Sequence, residues 1–166
     1  PKLFDTYEEV PEILDPEEFY QVSFDQSTSC TGIFIKNYKN TEAYMIEVSK
    51  NKNQDVDAYI FDFDMFVHRI CKCAKITHLI YERPITTESF RSAQVLFQLE
   101  GTLRAFVKRY SEFKTARLEC IENSSWRRVV ILEDYKRMQD RKLASENSIK
   151  DLYPWTTYYD FSLGSD

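Results

Sequence analysis

Hydrophobic and polar positions along the chain fall into two periods. Apolar runs, alternating or continuous, at about 20–25, 31–36, 43–48, 76–82 and 114–121 predict five β-strands. Val56, Tyr59, Ile60, Phe63, Phe66, Val67 and Ile70 recur at helical spacing and predict a helix within 55–74. A long helix is predicted over 89–110 and a charged one from about 133 to 152. The first three strands follow one another through polar turns such as Asn37–Asn40, which predicts an antiparallel meander. Helices and strands alternate after it, so the expected class is α/β. Three antiparallel strands, then parallel ones, make a mixed five-stranded sheet with flanking helices.

Right-handed β-α-β crossovers place strands 20–25 and 76–82 side by side and parallel. Each ends in an acid. Asp25 closes the first, before the polar turn Gln26-Ser27-Thr28-Ser29, and Glu82 closes the second, with Pro84 beyond it. A carboxylate beside the core is costly alone, because desolvation penalises its charge. Adjacent strands lie about 5 Å apart, and two carboxylates that close repel unless they share a cation. Asp25 and Glu82 are therefore candidate metal ligands, at the carboxyl strand ends where open α/β sheets build sites.

At 166 residues the chain reads as one main domain, and three glycines are too few for a Gly-rich nucleotide-binding scaffold. No apolar run is long enough to span a bilayer and the first residues are acidic, so no membrane partner and a cytoplasmic location are expected. Cys30, Cys71, Cys73 and Cys120 contain no Cys-x-x-Cys pair, which favours buried free thiols over zinc or disulfides. Ser27, Ser29, His68 and His78 show no triad pattern. Asp62 and Asp64 diverge by about 200° on a helix, so they are expected as surface acids rather than a metal pair.

The net charge of −5 is unevenly spread. Residues 1–18 hold seven acids against Lys2 and little core pattern, so they read as an acidic arm before a domain over 19–166. Residues 83–150 hold fourteen Lys/Arg and nine Asp/Glu. A polyanion feels the patch that faces it, not the sum. The candidate DNA contacts are Trp126, Arg127 and Arg128 after the fifth strand, with Lys136, Arg137, Arg141 and Lys142 on the next helix. Cations suit phosphates, and an exposed aromatic can stack on an unpaired base.

Helix 89–110 carries two apolar stripes. Val95, Leu99, Leu103 and Phe106 form one; Phe90, Ala93, Phe97 and Gly101 form the other. One covers the core and the second needs another cover. Gly101 in a helix interior costs about 1 kcal/mol relative to Ala, which close approach of a partner backbone would explain. A homodimer built on this helix is expected.

Three motifs, in order and in their structural contexts, carry a family resemblance: Ser23-Phe-Asp-Gln-Ser-Thr-Ser-Cys-Thr-Gly32, Ile80-Tyr-Glu-Arg-Pro84 and Asn123-Ser-Ser-Trp-Arg127. From about residue 20 onward the chain resembles the RuvC type of Holliday-junction resolvase, within the ribonuclease H-like superfamily. It most resembles phage-encoded versions, those of phages of lactic-acid bacteria among them, which would place it in a host cytoplasm. The resemblance implies a ribonuclease H-like fold and a homodimeric, structure-selective endonuclease. Such an enzyme hydrolyses phosphodiester bonds in branched DNA, Holliday junctions and forks, with two Mg²⁺ or Mn²⁺ ions per site. Asp25 would bind or bridge the metals and Glu82 would complete their inner ligands. Asp166, in Phe161-Ser-Leu-Gly-Ser-Asp166, stands where the first acid of the family's last helix is expected; that helix is missing after 166. The alternative expectation is a non-catalytic branched-DNA-binding or architectural protein that retains the RuvC-like fold. Asp25-Gln-Ser-Thr-Ser29 is also similar to the first phosphate-binding turn of glycerol-kinase-like sugar kinases, but those enzymes need a second such domain.

Overall fold

A computed structural model of the chain describes residues 2–4, 14–72, 74–84, 89–122, 143–144, 147–148 and 150–163. Its strands are β1 (Lys2–Phe4), β2 (Phe19–Asp25), β3 (Cys30–Asn37), β4 (Ala43–Lys50), β5 (Lys75–Glu82), β6 (Arg117–Ile121) and β7 (Thr157–Leu163). The five predicted strands are β2 to β6. They form the meander β2-β3-β4 and the parallel run β2, β5, β6. Strands β7 and β1 extend the sheet to seven, in the order β1-β7-β4-β3-β2-β5-β6. Both added strands run parallel to β4.

Two expectations change here. The acidic arm joins the fold at two points, because Lys2–Phe4 pair with Tyr159–Phe161 and Leu14 is buried in the core. A run as short as Leu3-Phe4 shows no period of its own; only β7 makes it a strand. The tail residues 161–163, to which the sequence pattern assigned no element, belong to β7. The tyrosine- and phenylalanine-rich stretch 158–161 suits a pleated surface, and β4 offers it an open edge. Of the predicted charged helix, residues 143–144, 147–148 and 150–152 are described, and they are helical.

The helices are α1 (Val56–Cys71) and α2 (Phe90–Arg109). Each begins on a side-chain cap: Asp55 accepts from the Ala58 amide at 2.8 Å and Ser89 from the Ser92 amide at 3.3 Å. Both pack on one face of the sheet. The Phe24 ring lies 5.9 Å from Phe63 and 6.4 Å from Phe106, and those two are 6.5 Å apart. Phe113, buried in a short 3₁₀ turn, stacks on Phe106 at 5.5 Å. That turn consumes residues 111–113, which is why β6 begins at Arg117, later than the pattern suggested. On the other face Phe34 meets Tyr153 at 5.2 Å.

Asp64, expected at the surface, is only 6% exposed. Arg109 Nη1 and the Tyr110 hydroxyl both reach its Oδ2 at 2.7 Å, so the end of α2 supplies the partners that permit burial. Asp62 is half-buried and accepts from Gln54 Nε2 at 2.5 Å. The second stripe of α2 is uncovered at Phe90, 85% exposed, and at Phe97, 49% exposed. A side chain at Gly101 would meet nothing within 4 Å, and Phe61 of α1 is exposed as well. Among the described residues no helix is long and apolar enough to cross a membrane.

The cysteines also divide. Cys71 is buried, Cys30 half-buried and Cys120 exposed, and none of the three is in a disulfide. Cys120 escapes burial because β6 is the edge strand of the sheet. Burial pushes the Cys71 thiol up from its ordinary range, with Glu112 adding to the effect. In the folded protein a haloacetamide is expected to label Cys120 and leave Cys71 unmodified until denaturant is added. Peptide mass mapping after timed labelling reads both positions. Equal labelling would mean that the end of α1 opens readily.

Candidate active site

The parallel pairing of β2 with β5 closes at Phe24↔Tyr81. The next residue on each strand is an acid, so Asp25 and Glu82 stand side by side at the carboxyl end of the sheet. Phe24 and Tyr81 are buried toward the helices. Alternation therefore turns both carboxylates toward the opposite face. There Asp25 is exposed and Glu82 half-buried.

Asp25 is paired on its other side with Gly32 of β3, and Gly32 with Glu47 of β4. A Cβ at Gly32 would touch Asp25 Cβ at 3.8 Å, an ordinary contact. What the glycine keeps clear is the space beyond, between Asp25 and Glu47. Glu47 in turn pairs with Asp160 of β7. One register line across the sheet thus runs Glu82, Asp25, Gly32, Glu47, Asp160. Glu47 is exposed, and its Oε1 accepts from the Cys30 thiol at 3.1 Å.

Neighbouring groups hold the pair in place. Gln26 Nε2 donates to the main-chain oxygen of Glu82 at 2.5 Å, tying the ends of β2 and β5 together. The Tyr81 hydroxyl donates to Glu100 of α2 at 3.2 Å. Burial first, then Cys120 and Glu100, push the Tyr81 phenol up to about 12, so it remains a fixed donor at neutral pH. Arg83 donates its amide to Ile121 at 2.9 Å and its guanidinium to Glu122 at 2.6 Å. The end of β6 is therefore pinned beside Glu82. In the turn after Asp25, Ser27 accepts from the Cys30 amide at 3.1 Å and donates to the Cys30 carbonyl at 2.5 Å.

Of the predicted site residues, the structure brings Asp25 and Glu82 together. Asp166, Trp126, Arg127, Arg128, Lys136, Arg137, Arg141 and Lys142 lie outside the described residues. Strand β7, parallel to β4, ends at Leu163 on the same edge of the sheet as Asp25 and Glu82. Among the described residues no three of His, Cys, Asp and Glu gather as a metal-binding group. Two adjacent carboxylates do suit Mg²⁺, which takes hard oxygen donors and commonly binds through one or two carboxylates while keeping waters. Sequence reasoning missed Glu47 and Gln26. Glu47 is signalled by an acid interrupting an apolar strand, and Gln26 carries no sequence signal, since its role is a contact with a distant strand.

The strand order, the antiparallel-then-parallel pairing and the packing of α1 and α2 on one face define a ribonuclease H-like α/β fold. Among solved structures the chain is similar to T. thermophilus RuvC in complex with a Holliday junction substrate, with a TM-score of 0.58, 8% sequence identity and 78% of each chain covered. At that identity the likeness establishes the shared fold. No known protein family matches the chain, and no curated protein does either.

Proposed function

We propose that the protein is a metal-dependent, structure-selective endonuclease that hydrolyses phosphodiester bonds in branched DNA, such as Holliday junctions and forks. The observation that carries this reading is the Asp25–Glu82 pair, set at the carboxyl ends of adjacent parallel strands in a fold shared with RuvC. When bound, Mg²⁺ or Mn²⁺ would activate water and stabilise charge on the leaving oxygen. Asp25 and Glu82 would hold the ions, and Asp166 is the proposed third acid; β7, which precedes it in sequence, ends at Leu163 on that edge. The chain's own work is positional. The exposed Asp25 meets the substrate side, Gln26 anchors the Glu82 backbone, and the Tyr81–Glu100 bond braces β5 against α2.

Trp126, Arg127, Arg128, Lys136, Arg137, Arg141 and Lys142 are proposed to contact DNA. This is supported by the end of β6, from which that segment departs, lying beside Glu82. Replacing Arg127 and Arg128 with glutamate is expected to weaken junction binding about tenfold or more and flatten its salt dependence. Unchanged affinity in a salt titration would put the patch elsewhere. A homodimer through α2 is proposed from its uncovered stripe, and light scattering on the eluting protein is expected to give twice the chain mass.

The direct experiment is cleavage of labelled four-way junction, Y-fork and linear duplex, with Mg²⁺ and with EDTA. Metal-dependent nicking of the branched substrates is expected. Binding of branched DNA without cutting would favour the architectural alternative, which draws on the absence of a third acid at the pair among the described residues.

A further inference from the structure

The sheet face that carries Asp25 and Glu82 at one end carries a different surface at the other. Tyr20, Val22 and Phe24 are buried toward the helices, so Phe19, Gln21, Ser23 and Asp25 share the opposite face. One register line crosses that face through Lys36 of β3, Gln21 of β2, His78 of β5 and Arg117 of β6. Its charge is the reverse of the line through the acid pair. At the usual rise of a strand, Gln21 lies about 13 Å from Asp25 along β2, and Phe19 about 20 Å. Ser23 and Ile80, between the two lines, are half-buried, so this strip is not sealed from solvent.

Aromatic rings gather at the far end. Tyr38 directly follows β3, and its amide donates to the Phe19 carbonyl at 2.8 Å. Its ring lies parallel to His78, with centroids 6.2 Å apart and planes within 4°, and is 64% exposed. A ring held flat against a neighbour and left open to solvent is a preformed stacking surface. Phe19 is exposed too, with the Lys39 and Lys75 ammonium groups 5.4 and 5.3 Å from its ring centre. Lys36 lies over Tyr153 at 5.3 Å. Glu17 pairs with Lys75 and Glu119 with Arg117. Among the described residues neither Lys36 nor Lys39 is in an ion pair.

The mixture of groups discriminates between partners. Lysine is depleted where protein surfaces meet, and here lysines flank the rings. Duplex DNA would use the cations, but its bases stack on one another and offer Tyr38 no open face. A single strand uses both, giving phosphates to the lysines and an unpaired base to the ring.

We infer that Tyr38 and Phe19, with Lys36, Lys39 and Lys75, form a binding site for single-stranded DNA, in which an unpaired base stacks on Tyr38 and the ammonium groups take phosphates. Its place in the reaction rests on the branched-DNA reading above. One strand advances about 3.4 Å per nucleotide when stacked, so the distance to the acid pair spans about four to six nucleotides. The site therefore engages the unpaired arm of a fork while a phosphate of the same strand lies at Asp25 and Glu82.

The test varies the single strand. Y-forks whose unpaired arm is lengthened stepwise from none to about twelve nucleotides, a fully paired four-way junction, a linear duplex and a labelled oligothymidine are titrated with the intact protein. Binding is read by fluorescence anisotropy without Mg²⁺, and cleavage with it. Wild-type affinity is expected to rise about tenfold as the arm reaches about six nucleotides, then to level off. Tyr38→Ala is expected to lose most of that gain and Tyr38→Phe to keep it. Lys39→Glu is expected to weaken oligothymidine binding and flatten its salt dependence. Both positions are exposed, so the core is untouched, and melting curves check this. No gain with arm length, in a wild-type protein that binds and cuts the paired junction, overturns the site and leaves the nuclease reading standing. So does a gain undiminished in Tyr38→Ala. Oligothymidine binding that depends on Tyr38, without preference for branched DNA over linear duplex, overturns the branched-DNA reading and leaves the site. Binding of neither branched DNA nor oligothymidine overturns both.

Discussion

Asp25→Asn is expected to lower junction cleavage by at least about 10³-fold, equivalent to about 4 kcal/mol of barrier, while binding is retained or tightened. Asparagine keeps the shape of the side chain and removes its charge. Asp25 is exposed at the end of β2, so the fold loses no buried partner. What is lost is one of two adjacent anionic donors: a neutral amide oxygen replaces a carboxylate, and the site then holds a divalent ion more weakly. Binding moves the other way because the DNA backbone is negative. One fewer carboxylate on that edge reduces repulsion of phosphate. Single-turnover cleavage with Mg²⁺, beside a gel-shift titration in EDTA, separates the two effects. Cleavage retained within tenfold of wild type would refute the role given to Asp25, whatever happened to binding.

Phe106→Ala is expected to cost about 3–5 kcal/mol of stability and to lower the melting temperature by about 10 °C in a chain of this size. Phe106 is fully buried. Its ring lies 5.5 Å from Phe113, 5.9 Å from Tyr110, 6.4 Å from Phe24 and 6.5 Å from Phe63. It therefore joins α2, α1, the 3₁₀ turn and β2 at one point. Truncation leaves a cavity that the surrounding rings, on β2, α1, the 3₁₀ turn and the end of α2, cannot collapse into without moving those elements. Phe106→Leu, which fills most of the volume, is expected to cost less than half as much. Urea denaturation of the three proteins checks the order, and near-equal midpoints would show that the cluster repacks. Because Phe24 immediately precedes Asp25, the same cavity is also expected to loosen the end of β2.

Much of this architecture could be read from local pattern. The helix predicted over 89–110 begins at a serine cap and closes at Tyr110, because the cap chemistry and the apolar stripe agree. The meeting of Asp25 with Glu82 followed from crossover handedness, which leaves strands 20–25 and 76–82 few arrangements. Features held by tertiary partners were hidden. Asp64 looked like a surface acid because its partners, Arg109 at the end of another helix and Tyr110 just beyond it, are distant in sequence. Gln26 looked like an ordinary turn residue because the group it binds, the Glu82 carbonyl, belongs to another strand. Strand β1 was invisible because three residues carry no period, and β7 because its partner edge exists only once β4 is in place.

The sheet's outer edge sets an order of assembly. Strand β1 pairs with β7 alone, and β7 is the last of the seven strands to be synthesised. During translation, at about 5–20 residues per second, β2 to β6 can associate seconds before Thr157–Leu163 leaves the ribosome. Through that interval β4 presents an open edge along Tyr44–Lys50, and Lys2–Phe4 has no strand to join. Pairings this distant in sequence close slowly, since the chain entropy of a long loop is lost before any contact forms. A waiting edge is a template for another nascent chain. Glu47 and Lys50, charges set along that edge, are positioned to discourage the wrong strand until the right one arrives.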